Sequence, residues 1–111
     1  MASPEKVLTH RILLRHGSRP DLRLWRNETG TFKAPDGSYV SCGLCKGSSD
    51  LIGLKIVGSC GMFIAIEVKT AGTATTDLQT AFIEQIIGMG GIAGIVGSLE
   101  DVDVLLGVPP K

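Results

Sequence analysis

The stretch LIGLKIVGSCGMFIAIEVKT, residues 51–70, decides how the chain is read. Two apolar runs, 51–57 and 62–70, flank the turn sequence GSCG (58–61), which pairs them as an antiparallel hairpin. Side chains alternate along a strand, so Met62, Ile64, Ile66 and Val68 share one face while Phe63, Ala65, Glu67 and Lys69 share the other. Glu67 and Lys69 therefore stand side by side at the end of a strand that is otherwise apolar on both faces. That pattern disfavours a solvated surface strand.

Asp50 precedes the first of these strands. An antiparallel hairpin brings the start of its first strand beside the end of its second, which places Asp50 near Glu67. Two carboxylates at that distance repel unless a cation lies between them. Oxygen-only donors suit Mg²⁺ or Mn²⁺, which keep several waters and share phosphate oxygens. A neighbouring ammonium, here Lys69, can steer an attacking water and offset charge developing on phosphorus. The chemistry indicated is metal-assisted phosphodiester hydrolysis. The alternative is that Asp50 is a turn residue and that Glu67 and Lys69 form an exposed ion pair on one strand face.

Outward from the hairpin, the sequence predicts a helix over about 4–16, with Ser3 as N-cap, Pro4 at the first helical position and Gly17 as its stop. Leu8 and Ile12 give its apolar stripe, and Glu5 lies in line with them near its start. LRLWRN (22–27) reads as extended, with Leu22, Leu24 and Arg26 on one side and Arg23, Trp25 and Asn27 on the other, and Trp25 is expected in the core. Pro35, Asp36 and Gly37 mark a second hairpin turn between two short extended runs. Thr76 with Gln79 fits a capping box opening a helix over about 77–88, on which Leu78, Ala81, Phe82, Gln85, Ile86 and Met89 recur at helical spacing. Residues 91–98 read as a short buried strand. Ser98 with Asp101 fits a second capping box, opening a helix over 99–106. One strand–helix–strand unit near the end implies a right-handed crossover in a mixed sheet. The expected fold class is α/β or α+β, a single compact domain over 1–111 with one mixed sheet flanked by helices.

Composition limits the function classes. The chain has 111 residues, of which 43% are hydrophobic, and a mean hydropathy of +0.26, enough for a real core and too apolar for a disordered chain. Eleven Lys and Arg balance eleven Asp and Glu, which disfavours a polybasic, non-specific nucleic-acid binder. No apolar run has the length of a membrane span and no signal-peptide core is present, so no membrane partner and a cytoplasmic, intracellular site are expected. The neutral total hides a gradient: residues 1–40 carry seven Lys and Arg against four acids, whereas residues 71–111 carry one base against five. Cys42, Cys45 and Cys60 are an odd set, so they cannot form a complete internal disulfide framework. The CxxC at 42–45 could be half a zinc site or a redox pair, but only Cys60, His10 and His16 remain as further soft ligands, and free thiols in a reducing compartment are the simpler reading.

The order G-x-x-D, apolar strand, I-E-V-K-T resembles the PD-(D/E)XK nuclease superfamily, and more closely the virus-type replication-repair nuclease (VRR-NUC) family. The resemblance covers nearly the whole chain: LRLWRNETG (22–30), GLCKGSSDLIG (43–53), FIAIEVKT (63–70), TDLQTAFIEQI (76–86) and GGIAGIVGSLEDVDVLL (90–106). Ser49 stands where the superfamily name has proline, and Cys45 departs from the glycine-loop pattern. The resemblance implies a restriction-endonuclease-like fold and a Mg²⁺- or Mn²⁺-dependent endonuclease acting on DNA, of the Holliday junction resolvase kind. Branched DNA, a four-way junction or flap, is then the partner, and the protein a homodimer of phage or bacterial origin. It implies that Asp50 and Glu67 are metal ligands, joined by the Val68 carbonyl and by Glu5 from the first helix. Lys69 would position the attacking water, and Gln79 would lie near the active site. Arg26 and Asn27 coincide with the family's R-N pair; with Arg23 and Lys46 they are the expected phosphate contacts. Glu5 could instead complement the helix dipole, and Gln79 could serve its capping box. The competing function is a non-catalytic module that binds DNA structures and retains the nuclease fold.

Overall fold

The computed structural model describes residues 3–110. In chain order the elements are α1 (Pro4–His16), β1 (Leu22–Arg26), β2 (Gly30–Lys33), β3 (Tyr39–Cys42), β4 (Leu51–Val57), β5 (Cys60–Val68), α2 (Asp77–Gly88), β6 (Ile92–Val96) and α3 (Leu99–Leu106). β4 and β5 form the expected antiparallel hairpin, with Leu51 opposite Ile66 and Val57 opposite Cys60. Its turn is shorter than GSCG: only Gly58 and Ser59 lie between the strands, and Gly58 has φ 63°, the sign a type II′ turn needs at its first central residue. β5 consequently starts at Cys60 and ends at Val68, two residues earlier at each end than its alternation suggested.

β1 joins the outer side of β4 antiparallel, and β6 joins the other side of β5 parallel, giving the order β1-β4-β5-β6. The strand–helix–strand unit is thus β5-α2-β6. Helices lie on both faces of this mixed sheet. On one face α1 and α3 cover the principal core, in which Leu8, Ile12, Leu51, Ile64, Ile66, Val68, Val102 and Leu106 are buried. On the other face α2 brings Ile83 onto Ala65 and Ala93, with Phe63, Phe82 and Ile86 around them. Apolar residues on both faces of β5 are accounted for by these two layers. The fold is α+β, as expected.

Several local readings change. The inward stripe of α2 is Ile83, which is buried, with half-buried Gln79, Phe82 and Ile86 beside it, about one residue round from the stripe read in the sequence, and Leu78 and Met89 are exposed. Within the sheet, α2 packs chiefly on β5 and β6. The face of β1 and β4 beside it stays open, so Trp25, on that face opposite Ile52, is 51% exposed rather than core. Arg26 is exposed at the strand end instead of following Leu22 and Leu24 inward. Ser98 caps α3 as expected, but Asp101 accepts from Gly97 N and not from Ser98 N, so the second box is not reciprocal. Gly17 ends α1 in the ordinary right-handed region; its glycine is required because a Cβ there would lie 2.4 Å from the Leu13 carbonyl oxygen. Gly53 is forced more severely, since a Cβ would sit 2.0 Å from the Arg23 carbonyl oxygen across the β1–β4 pairing.

His16 received no role in the sequence, yet it is completely buried at the end of α1. Its Nδ1 accepts from Arg19 Nη1 at 2.9 Å, and its Nε2 faces Asp103 Oδ1 at 2.8 Å. Arginine has no acceptor, so the ring proton of the neutral form is on Nε2. Arg19 also grips Asp21 with two bonds and donates to the Gly107 carbonyl, while Arg15 grips Asp103. This network ties α1 to α3 and to the chain after it.

Candidate active site

β4 begins where β5 ends, and the 51–66 register sets Asp50 opposite Glu67. Even-numbered residues at this end of β5 turn their amide and carbonyl toward β4, while odd-numbered ones bond to β6, as Lys69 N does to the Val96 carbonyl at 2.9 Å. At Val68 β4 has already ended. Its amide is taken instead by Asp50 Oδ2 at 2.8 Å, and its carbonyl is left facing the same open side.

Glu67 is 2% exposed. Its Oε1 accepts weakly from Gln79 Nε2 at 3.4 Å, and its Oε2 is buried with no partner among the described residues. Burial, followed by the closeness and like charge of Asp50, pushes the Glu67 carboxyl up to about 8, against the pull of Lys69. Gln79 does two things at once. Its Oε1 accepts from Thr76 N at 2.9 Å, completing the capping box of α2, and its amide nitrogen reaches Glu67. The first turn of α2 therefore holds the rotamer that reaches the carboxylate.

These groups line a cleft of about 530 Å³ together with Glu5, Lys69 and Arg26. Lys69 makes no ion pair among the described residues, though its charge acts on both Glu67 and Glu5. Glu5 reaches the cleft from the first turn of α1, but its oxygens are held by Thr70 Oγ1 at 3.0 Å and Thr73 Oγ1 at 3.1 Å. Its own backbone amide, then these two hydroxyls, keep its carboxyl below the usual carboxylate range. It does not join Asp50 and Glu67 directly: among the described residues no three His, Cys, Asp or Glu side chains converge at metal-ligating spacing. The central donor set is two carboxylates and one backbone carbonyl, all oxygen. A hard cation that keeps water and phosphate in its other positions fits that set, in which Glu67 Oε2 has no partner among the described residues. The three cysteines are free and exposed and build no metal site.

The expected phosphate contacts divide. Arg26 is exposed on the cleft wall. Lys46 is exposed beside the β2–β3 hairpin, in an adjoining groove. Arg23 lies outside the cleft and donates to the backbone carbonyls of Arg19 and Leu22. Asn27 is buried, because its amide is committed to the glycine loop: Nδ2 donates to Ser48 Oγ and the Ser49 carbonyl, and Oδ1 accepts from Leu44 N. Gly47 keeps that loop against α2, since a Cβ there would meet Leu78 Cβ at 2.5 Å.

A family model of the VRR-NUC domain matches residues 37–99, more than half of the chain. The chain belongs to the VRR-NUC domain family. No curated protein and no solved structure matches it significantly. The family implies nuclease-type processing with DNA as the substrate. The match contains Lys46, Asp50, Glu67, Val68, Lys69 and Gln79, whereas α1 with Glu5, β1 with Arg23 and Arg26, and Asn27 just after β1 precede it. Within the VRR-NUC site, Thr70 and Thr73 escaped the sequence reading. Thr70 follows Lys69 directly, but only folding brings α1 over it.

Proposed function

We propose that this VRR-NUC domain is a Mg²⁺- or Mn²⁺-dependent endonuclease that hydrolyses phosphodiester bonds in branched DNA, in the manner of a Holliday junction resolvase. The observation that supports this most is the buried Glu67 Oε2, which has no partner among the described residues and belongs to a carboxylate beside that of Asp50. A protein interior tolerates such an arrangement when something else completes it. Asp50, Glu67 and the Val68 carbonyl would hold the cation, which would supply charge neutralisation at the scissile phosphate and a lowered pKa for the attacking water, easing its deprotonation.

The chain's own residues do the rest. Gln79 fixes Glu67 in the rotamer that faces Asp50. Lys69 orients the attacking water and offsets the negative charge that grows on phosphorus. Glu5, braced by Thr70 and Thr73, adds a negative charge near Lys69 in the same cleft. Arg26 and Lys46 receive flanking phosphates. Asn27 sets the loop that ends at Asp50, and Arg23 supports the backbone before β1. One such site cuts one strand, so symmetric cleavage of a four-way junction calls for a homodimer.

The test is cleavage of end-labelled four-way junction, flap and linear duplex in Mg²⁺, Mn²⁺ or EDTA, with Asp50→Asn and Lys69→Ala beside the unaltered protein. Paired, metal-dependent nicks in the junction that vanish in both variants are expected. Tight junction binding without cleavage in either metal would leave a binding module that has kept the fold.

A further inference from the structure

β2 and β3 form a separate two-stranded sheet against which no helix or other strand packs substantially. Such a ribbon is marginal in water and ordinarily carries polar side chains. This one carries Phe32 at 59% and Tyr39 at 71% exposure, with Val40 also exposed. Phe32 and Val40 are direct cross-strand partners, so they share one face, while Lys33 and Tyr39 share the other. Phe32 lines the cleft that holds Asp50, Glu67 and Lys69.

The ribbon is keyed to the catalytic loop. Asn27, just before it, bonds through Oδ1 to Leu44 N, just after it, and through Nδ2 to Ser48 and Ser49. The Asn27 amide donates to the Asp50 carbonyl at 2.8 Å. Gly43 closes the neck with φ 83°, where a Cβ would sit 2.7 Å from the Glu28 carbonyl oxygen. One buried side chain therefore ties both ends of the ribbon to the residues leading into Asp50, and sets where Phe32 stands relative to the cleft.

We propose that the β2–β3 ribbon is a base-stacking arm, in which Phe32 takes an unpaired base beside the scissile phosphate and so gives the domain its preference for branched over continuous DNA. An exposed ring lining the same cleft as Arg26 and Lys6 combines a stacking platform with phosphate-binding charge, the combination that recognises unpaired nucleotides. A continuous duplex keeps its bases stacked and offers none, whereas a branch point does. The identity of the polymer rests on the nuclease reading above.

The experiment uses the full chain, unaltered and as Phe32→Ala and Phe32→Trp. The probes are a four-way junction with 2-aminopurine at the branch point and a duplex of the same sequence, both without divalent metal and in Ca²⁺. The unaltered protein and Phe32→Trp should change the 2-aminopurine fluorescence on binding. Phe32→Ala should lose that signal and bind the junction about tenfold more weakly, with duplex affinity unchanged. No junction binding by the unaltered protein, an unchanged junction affinity, or equal losses on junction and duplex would overturn the proposal. So would sedimentation showing that Phe32→Ala converts a dimer to a monomer while DNA affinity holds, because the arm would then be a contact between copies. Cleavage in Mg²⁺ is measured in parallel: a protein that shows the stacking signal but never cuts sinks the nuclease reading and leaves the arm standing.

Discussion

The molecule takes charged side chains out of water in two places and completes only one of them. At the end of α1, Arg15, His16, Arg19, Asp21 and Asp103 form a closed network, in which each carboxylate meets a guanidinium and both His16 nitrogens are bonded. In the cleft, Asp50 and Glu67 face each other, and among the described residues Lys69 pairs with neither and one buried oxygen has no partner. The first arrangement is finished by the chain itself. The second is left open on the side of the cleft. Burial alone therefore does not distinguish a structural cluster from a functional one; unmet bonding capacity aimed at an opening does.

That contrast can be broken most sharply at Glu67. Glu67→Gln keeps the shape and removes the charge, so cleavage should fall about a thousandfold while urea unfolding stays close to that of the unaltered protein. A variant that lost stability instead would make Glu67 a structural residue. His16→Ala should do the reverse. It leaves a cavity and strips Arg19 and Asp103 of their shared partner, costing about 2–4 kcal/mol in urea unfolding, with cleavage per folded molecule unchanged.

A smaller effect separates the two clusters without touching cleavage. Mg²⁺ or Mn²⁺ should raise the melting temperature, by roughly 4–8 °C for each kcal/mol of binding linked to folding, and EDTA should reverse it. Asp50→Asn should abolish that shift and Asp103→Asn should keep it. Retention of the shift in Asp50→Asn would place the cation elsewhere. The smallest effect is on pH dependence. Burial above all, and then the charge of Arg19, lower the His16 pKa below its ordinary 6.5 despite Asp103. Below 6.5 the unfolded chain then binds a proton that the folded chain refuses, so stability present above that pH is lost as pH falls through it. In His16→Gln this part of the acid-side decline should disappear from unfolding curves taken between pH 7 and pH 5.

Much of the architecture was legible because it depends on short-range rules. The period-2 alternation of 62–68, the glycine turn and the caps at Ser3, Thr76 and Ser98 need only neighbouring residues to be recognised, and each element they predict is present within a few residues of its expected ends. Hairpin register alone brings Asp50 to Glu67. Trp25 and the stripe of α2 were misread because burial depends on which layer covers a face, and α2 covers β5 and β6 but not β1 and β4. Asn27 was misread for the same kind of reason: whether an amide meets phosphate or backbone depends on a loop seventeen residues away closing over it.

By itself, then, the sequence determined the central hairpin and the pairing of its two carboxylates, both consequences of spacing along two strands, and also the family, through motifs spread over most of the chain. Only the tertiary structure decided that Gln79 braces Glu67, that Thr70 and Thr73 hold Glu5 away from it, that His16 anchors a closed charge network and that Phe32 stands at the cleft. Each of these joins elements far apart in the chain, and no local period or cap encodes which side chains two packed layers will bring together.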